Sequence, residues 1–184
     1  LQIYQRHYAD CLTHNSQLFP GVREALQHWR EQGLRMACVT NKGACFTEPL
    51  LDHFGLRDHF EYVFGAELDG TRADKSHLLE YALKQAAVDP AKTLMIGDRS
   101  HDMIGARNNA MTAVGVLYGY GSRRELLAAG AAVLPAVSRV AWCRTYPTRP
   151  VRIIVGFAAG GGSDKDRLLA EKKAHEKKLE DIAE

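Results

Sequence analysis

The sequence predicts an α/β fold, a parallel β-sheet with helices on both of its faces. Two observations carry this: short apolar runs of strand length recur along the chain, and amphipathic stretches of helical length alternate with them. In folds of this class ligands bind beyond the carboxyl ends of the strands, where the chain turns into the following helices. The residues just after each strand are therefore the place to look for a site.

The elements follow in order. Ile3, Tyr4, His7, Tyr8, Cys11 and Leu12 repeat bulky positions at helical spacing without a start signal, and residue 1 is Leu rather than Met. This reads as a last helix, over 1–17, of something cut into. Leu18-Phe19-Pro20-Gly21 breaks it, and Val22, Leu26 and Trp29 begin a new apolar stripe that stops at Gly33. A strand is expected from Leu34 to Thr40, then a helix over about 44–54, a strand over 61–65 and a helix over 74–87. A strand from Thr93 to Ile96, a helix over 101–109, a strand from Thr112 to Leu117 and a helix around Leu126 complete a core over 18–142. Composition then changes. Tyr146-Pro147-Thr148-Arg149-Pro150 marks a linker over 143–150, Val151 to Phe157 is a strand candidate, and Gly160-Gly161-Gly162 opens a loop. From Glu171 the chain is nearly all Lys, Glu, Ala and Asp, a solvated helix or tail.

The 184 residues are 46% apolar and 25% charged, a soluble globular composition with length for one domain and a real core. Lys and Arg number 24 against 22 Asp and Glu, a net charge of +2. The pI near 8.4 therefore comes from a near balance of signs, and charge does not point to nucleic acid. No run reaches the roughly 18 apolar residues of a membrane span, and the N-terminus lacks the pattern of a signal peptide. These features predict a cytoplasmic protein. The four cysteines, Cys11, Cys38, Cys45 and Cys143, form no C-x-x-C pair and have no histidines at metal spacing, so a structural role in a reducing compartment is expected. Oligomeric state is not legible.

Chemistry gathers at three strand ends. Thr40-Asn41-Lys42 closes the first strand, where the Thr40 hydroxyl and neighbouring N–H groups suit a phosphate oxygen, or where Thr40 caps the next helix. Gly97-Asp98-Arg99-Ser100-His101-Asp102 follows the Thr93 strand, with two carboxylates four residues apart. A helix starting at Arg99 or Ser100 brings both to one side of its first turn, and such hard oxygen donors suit Mg²⁺. The alternative makes Asp98 an N-cap and Asp102 a favourable first-turn charge. Lys75 opens a helix, where a cation is misplaced unless something negative lies nearby, such as a bound phosphate; a solvated lysine is the alternative.

Thr40-Asn41-Lys42, Lys75 and Gly97-Asp98-x-x-x-Asp102, in that order, resemble motifs two, three and four of the haloacid dehalogenase-like hydrolases. Leu18-Phe19-Pro20-Gly21, His53-Phe54-Gly55-Leu56, Leu68-Asp69-Gly70-Thr71-Arg72 and Tyr118-Gly119-Tyr120-Gly121-Ser122 resemble its phosphoglycolate phosphatase and 5'-nucleotidase-like branch. The resemblance implies a Rossmann-like core, a helical cap and Mg²⁺-dependent phosphoryl transfer through an aspartyl-phosphate. It implies that Thr40, Asn41 and Lys75 hold the phosphoryl group, with Thr40 and Lys75 catalytic, and that Asp98 and Asp102 hold Mg²⁺. The expected substrate is a small phosphate monoester, with phosphoglycolate or a nucleotide as candidates. Neither nucleic acid nor membrane is an expected partner.

The family's first motif, Asp-x-Asp-Gly-Thr, which supplies the nucleophile, has no match here. Glu67-Leu68-Asp69-Gly70-Thr71 imitates it, but falls between motifs two and three, begins with Glu and reads as a turn. The resemblance thus implies that the central N-terminal strand and most of the cap are missing, and that the chain alone is weak or inactive. A non-catalytic module binding Mg²⁺ and phosphate is the alternative. Tyr146 to Asp164, continuing through Ala170, resembles the start of the tripartite tricarboxylate transporter receptors, which raises a third reading, a fragment of a carboxylate-binding solute receptor. Val151 to Phe157 is also expected to be able to fill the central slot of the sheet.

Overall fold

The computed structural model describes residues 16–132 and the backbone of 133–134 and 152–155. The readings of 1–15, of the 143–150 linker, of the Gly160 loop, of the charged tail and of Cys11 and Cys143 lie outside the described residues. Helix α1 (Val22–Glu31) is followed by strand β1 (Met36–Gly43) and helix α2 (Ala44–His53). Strand β2 (Tyr62–Ala66), helix α3 (Lys75–Gln85), strand β3 (Thr93–Gly97) and helix α4 (Ser100–Asn108) come next. Strand β4 (Thr112–Val116), helix α5 (Arg123–Ala128), strand β5 (Ala132–Leu134) and strand β6 (Arg152–Val155) complete the order.

The six strands form one parallel sheet in the order β2-β1-β6-β3-β4-β5. Strand β6, last in sequence, occupies the centre. Its Ile153, Ile154 and Val155 pair with Met36, Ala37 and Cys38 of β1 on one side. On the other, Arg152 to Val155 pair with Thr93 to Ile96 of β3. Residues 152–155 of the strand candidate at 151–157 thus fill the slot between the strands that lead to Thr40 and Asp98, and both of those strands are spared an unpaired edge there, while 151, 156 and 157 lie outside the described residues.

Alternation along the strands builds two cores, because successive side chains leave a strand on opposite faces. Met36, Cys38, Leu94 and Ile96 pack with Leu26, Leu51, Leu56 and Phe60 on one face. Ala37, Val39 and Met95 pack on the other with Leu78, Leu79, Ala82 and Leu83 of α3 and Ala106 of α4. Burial on both faces explains why these strands read as continuous apolar runs rather than alternating ones. Helix α3 starts where Asp74 accepts the N–H groups of Ser76 and His77, and α5 where Ser122 accepts that of Glu125.

Strand β1 runs past the expected end at Thr40. Its register with β2 passes from Thr40 opposite Gly65 to Gly43 opposite Ala66, so Asn41 and Lys42 bulge out of the ladder. Gly65 permits this, since a Cβ there would lie 2.6 Å from the Ala44 backbone. Glu67 to Thr71 forms the expected turn: Gly70 has φ +89° and Asp69 accepts the Thr71 N–H at 2.8 Å. Cys38 is fully buried, with its thiol pushed up to about 12 by desolvation, whereas Cys45 is exposed. Among the described residues no helix is long and apolar enough to cross a membrane.

Candidate phosphate and cation site

The carboxyl ends of β1 and β3 and the start of α3 bring four polar side chains into the interior. Thr40, Lys75, Asp98 and Asp102 are each 3–4% exposed. Groups of this kind are buried only when something satisfies them.

Lys75 is satisfied from two directions. Its Nζ donates to the Val39 carbonyl at 3.0 Å and lies 3.1 Å from Asp102 Oδ1. The negative partner that a lysine at a helix start requires is therefore Asp102, reaching over from the first turn of α4. Asp102 Oδ2 also accepts the Arg99 N–H at 3.2 Å, which caps α4. The Asp102 carboxylate is thus committed to Lys75 and to the helix end. It also rests on Gly97, where a Cβ would come within 2.5 Å of the Asp102 Cβ.

Asp98 differs. It does not cap α4, whose N-cap is Arg99. Its Oδ2 accepts the Tyr120 N–H at 2.7 Å, and no ion pair to it forms among the described residues. Burial pushes its carboxyl above the usual range, the neighbouring Asp102 charge adds to this, and the Tyr120 N–H opposes it. The same carboxylate and burial push the Tyr118 phenol up to about 12. The 118–122 segment closes tightly over the Asp98 turn. A Cβ on Gly119 would overlap the Asp98 carboxylate, and one on Gly121 the Asp98 carbonyl oxygen.

The Thr40 hydroxyl accepts the Lys42 N–H at 3.1 Å across the bulge, and the N-cap of α2 is Gly43, so Thr40 is not that helix's cap. Asn41, expected to bind phosphate, donates its side-chain amide to the Ala73 carbonyl, tying the bulge to the loop that leads into Lys75. Tyr120, through its N–H, and Glu125 were not among the expected site residues. Glu125 on α5 accepts the Ser100 N–H at 2.9 Å and Arg99 Nε at 3.2 Å. The Ser100 bond leads in holding its carboxyl below the usual range. The Gly119-x-Gly121 spacing after a strand is the signal that could have pointed to the Asp98 clasp.

The donor set fits Mg²⁺ in kind. Asp98 is a hard oxygen donor in a desolvated setting, with charge that no side chain among the described residues pairs. Among the described residues no three His, Cys, Asp or Glu side chains gather into a metal-binding group. Mg²⁺ tolerates that, because it commonly keeps water and substrate oxygens and takes only one or two carboxylates.

A parallel sheet with a buried lysine, a buried hydroxyl and a buried carboxylate gathered at its strand ends defines an α/β domain of the class whose ligands bind beyond the carboxyl ends of the strands. The chain belongs to the haloacid dehalogenase-like hydrolase family, whose model matches residues 2–109. It is 34% identical over 125 residues to a 5'-nucleotidase of Pseudomonas aeruginosa, covering 68% of this chain and 57% of that protein. It is 37% identical over 139 residues to a phosphoglycolate phosphatase of Thiobacillus denitrificans, covering 75% and 61%. A predicted phosphatase from Clostridium acetobutylicum superposes with a TM-score of 0.68 at 26% identity, covering 97% of this chain and 68% of that one. The chain thus spans about three-fifths of the length of these two curated relatives.

Proposed function

We propose that this chain carries the phosphate-binding and cation-binding part of a phosphatase site, and that its ligand is a small phosphate monoester of the phosphoglycolate or nucleotide type. The single observation that carries the reading is Asp98, a buried carboxylate with a raised pKa and no cationic side chain paired to it. Asp98 would hold Mg²⁺, which would give that charge a partner and compensate the charge on phosphoryl oxygens. Thr40 and the N–H groups of the bulge hold the phosphoryl oxygens, and Lys75 adds positive charge beside them. Asp102 holds Lys75 in place. Because phosphoryl transfer is largely positioning and charge compensation, these are the groups it requires from a protein.

What these residues do not offer is a nucleophile. The 184 residues contain no Asp-x-Asp-Gly-Thr stretch, and the run after β6 is Gly156-Phe157-Ala158-Ala159, without a carboxylate. On its own residues the chain binds Mg²⁺ and phosphate without turnover, since covalent catalysis without a nucleophile has no first step. The test is calorimetric titration of the purified chain with Mg²⁺ and with orthophosphate, beside an assay of p-nitrophenyl phosphate hydrolysis. Mg²⁺-dependent phosphate binding that Asp98→Asn abolishes, without release of product, is expected. Product release that disappears in Asp98→Asn means another residue serves as nucleophile. Absence of binding by the folded chain overturns the reading.

A further inference from the structure

The Asp98 turn is held from outside its own element, and the residue that does most of this has no part in binding. Helix α4 has Arg99 as its N-cap, a residue with no side-chain oxygen to offer the first N–H groups. Asp102 answers one of them, at Arg99. The next, at Ser100, is answered by Glu125 from α5, 25 residues further on. The same carboxylate takes Arg99 Nε, so two consecutive residues after Asp98 are fastened to one acid. Helix α5 is in turn the continuation of the segment whose Tyr120 N–H holds Asp98 and whose Gly121 lies against the Asp98 carbonyl. Leu126, next to Glu125, is fully buried, which fixes α5 against the body of the fold.

We propose that Glu125 is a positioning residue for the cation site: by capping α4 across the fold it keeps the Asp98 turn closed against the 119–121 segment. The contacts form a ring, from Asp98 through Arg99 and Ser100 to Glu125, then back along the main chain to Tyr120, whose N–H returns to Asp98. Removal of the Glu125 carboxylate opens that ring at its far side. It also leaves the Ser100 N–H without its acceptor, and the turn loses the constraint that keeps Asp98 facing Tyr120. The role in cation binding rests on the proposed function above, whereas the closure of the turn does not.

The test uses the full chain and three variants, Glu125→Ala, Glu125→Gln and Ser122→Ala. Ser122→Ala removes the cap of α5 and leaves the acid that caps α4. The first readout is amide hydrogen exchange at Tyr120, whose N–H bonds Asp98 and makes no contact with Glu125 itself. Expected is at least a tenfold rise in Tyr120 exchange in Glu125→Ala, a smaller rise in Glu125→Gln, which keeps an acceptor oxygen, and little change in Ser122→Ala at matched stability. The second readout is calorimetric Mg²⁺ affinity, expected to weaken about tenfold in Glu125→Ala. Unchanged Tyr120 exchange in Glu125→Ala overturns the inference, as does an equal rise in Ser122→Ala. A wild-type chain that binds no Mg²⁺, with Tyr120 exchange still governed by Glu125, refutes the functional reading and leaves the positioning role standing.

Discussion

Lys75→Met measures how much the centre of the site depends on one buried ion pair. The substitution keeps length and apolar bulk but removes every donor. The side chains of Lys75 and Asp102 are 3% and 5% exposed and 3.1 Å apart, so water does not replace the lost partner. The variant leaves Asp102 as a buried charge without its cation and the Val39 carbonyl without its donor. Breaking a buried pair from one side costs about 3–5 kcal/mol. At about 2–4 °C per kcal/mol for a chain of this size, the melting temperature falls by about 6–20 °C. Asp102→Leu strands Lys75 in the same way. Removing both charges is different, because an apolar pair of similar volume in a buried site is often close to neutral. The double variant Lys75→Met/Asp102→Leu recovers most of the loss, short of what the Arg99 N–H gives up. Urea denaturation of all four proteins yields the coupling energy of the cycle. Single variants that each cost less than about 1 kcal/mol and combine additively would show a pair behaving as a solvated one, and would refute the account of Lys75 as a charge satisfied within the fold.

Three further outcomes follow from the same structure. Ile154→Pro removes an N–H from a strand paired on both sides, opposite Ala37 and Met95, and is expected to lower urea stability by at least the worth of a buried ladder hydrogen bond, about 1–3 kcal/mol; unchanged urea stability would mean that 152–155 is not part of the sheet. Gly119→Ala forces a methyl into the Asp98 carboxylate and is expected to weaken Mg²⁺ binding at least tenfold by calorimetry, with far-UV circular dichroism preserved. The raised Asp98 pKa means the folded protein holds that proton more tightly than the unfolded chain, so stability falls as pH rises from the unfolded value of 3.8 through the folded one. Without divalent cations Asp98→Asn is therefore more stable than the wild type at neutral pH, and thermal melts across pH should show the gap closing on acidification.

The parts of this molecule that local chemistry decides were legible. The spans of β3 and α4 came out within a residue because both end in residues with strong boundary preferences and their apolar periods are clear. Lys75 and Asp98 stood out because a lysine at a helix start and two acids four apart are each unfavourable or unusual alone. What could not be read was which acid answers which charge. Asp102 pairs with Lys75 across two helices, and no spacing in the chain predicts that contact. Asn41 sits in the right motif, yet the bulge turns its amide toward Ala73, a consequence of Gly65 letting β2 run close beneath. Strand β5 has three residues, too few for a period, and Glu125 lies on a six-residue helix, while its partner, the Ser100 N–H, is 25 positions away. The glycines at 119 and 121 are visible in sequence, but the carboxylate they admit lies more than twenty residues upstream.

The position of β6 ties the formation of the site to the end of the chain. Strands β1 and β3 each lead to one half of it, Thr40 on the first and Asp98 directly after the second. Neither pairs with the other directly. With one strand between them their axes stand two strand spacings apart, about 9–10 Å, room for a phosphoryl group and a hydrated cation between the two ends. That spacing is set only when Ile153 has joined both Met36 and Leu94, pairings that link residues 117 and 59 positions apart. Non-local pairing of this kind is slow and is rewarded late in folding. Before it forms, β1 with β2 and β3 with β4 and β5 are two half-sheets whose relative position rests on helix packing alone. A variant that weakens β6 should therefore lose phosphate and Mg²⁺ affinity under conditions where both half-sheets still give helical and strand signals. Loss of binding ahead of loss of secondary structure in Ile154→Pro would mark the central strand as the spacer of the site, whereas simultaneous loss would mean that the halves do not persist without it.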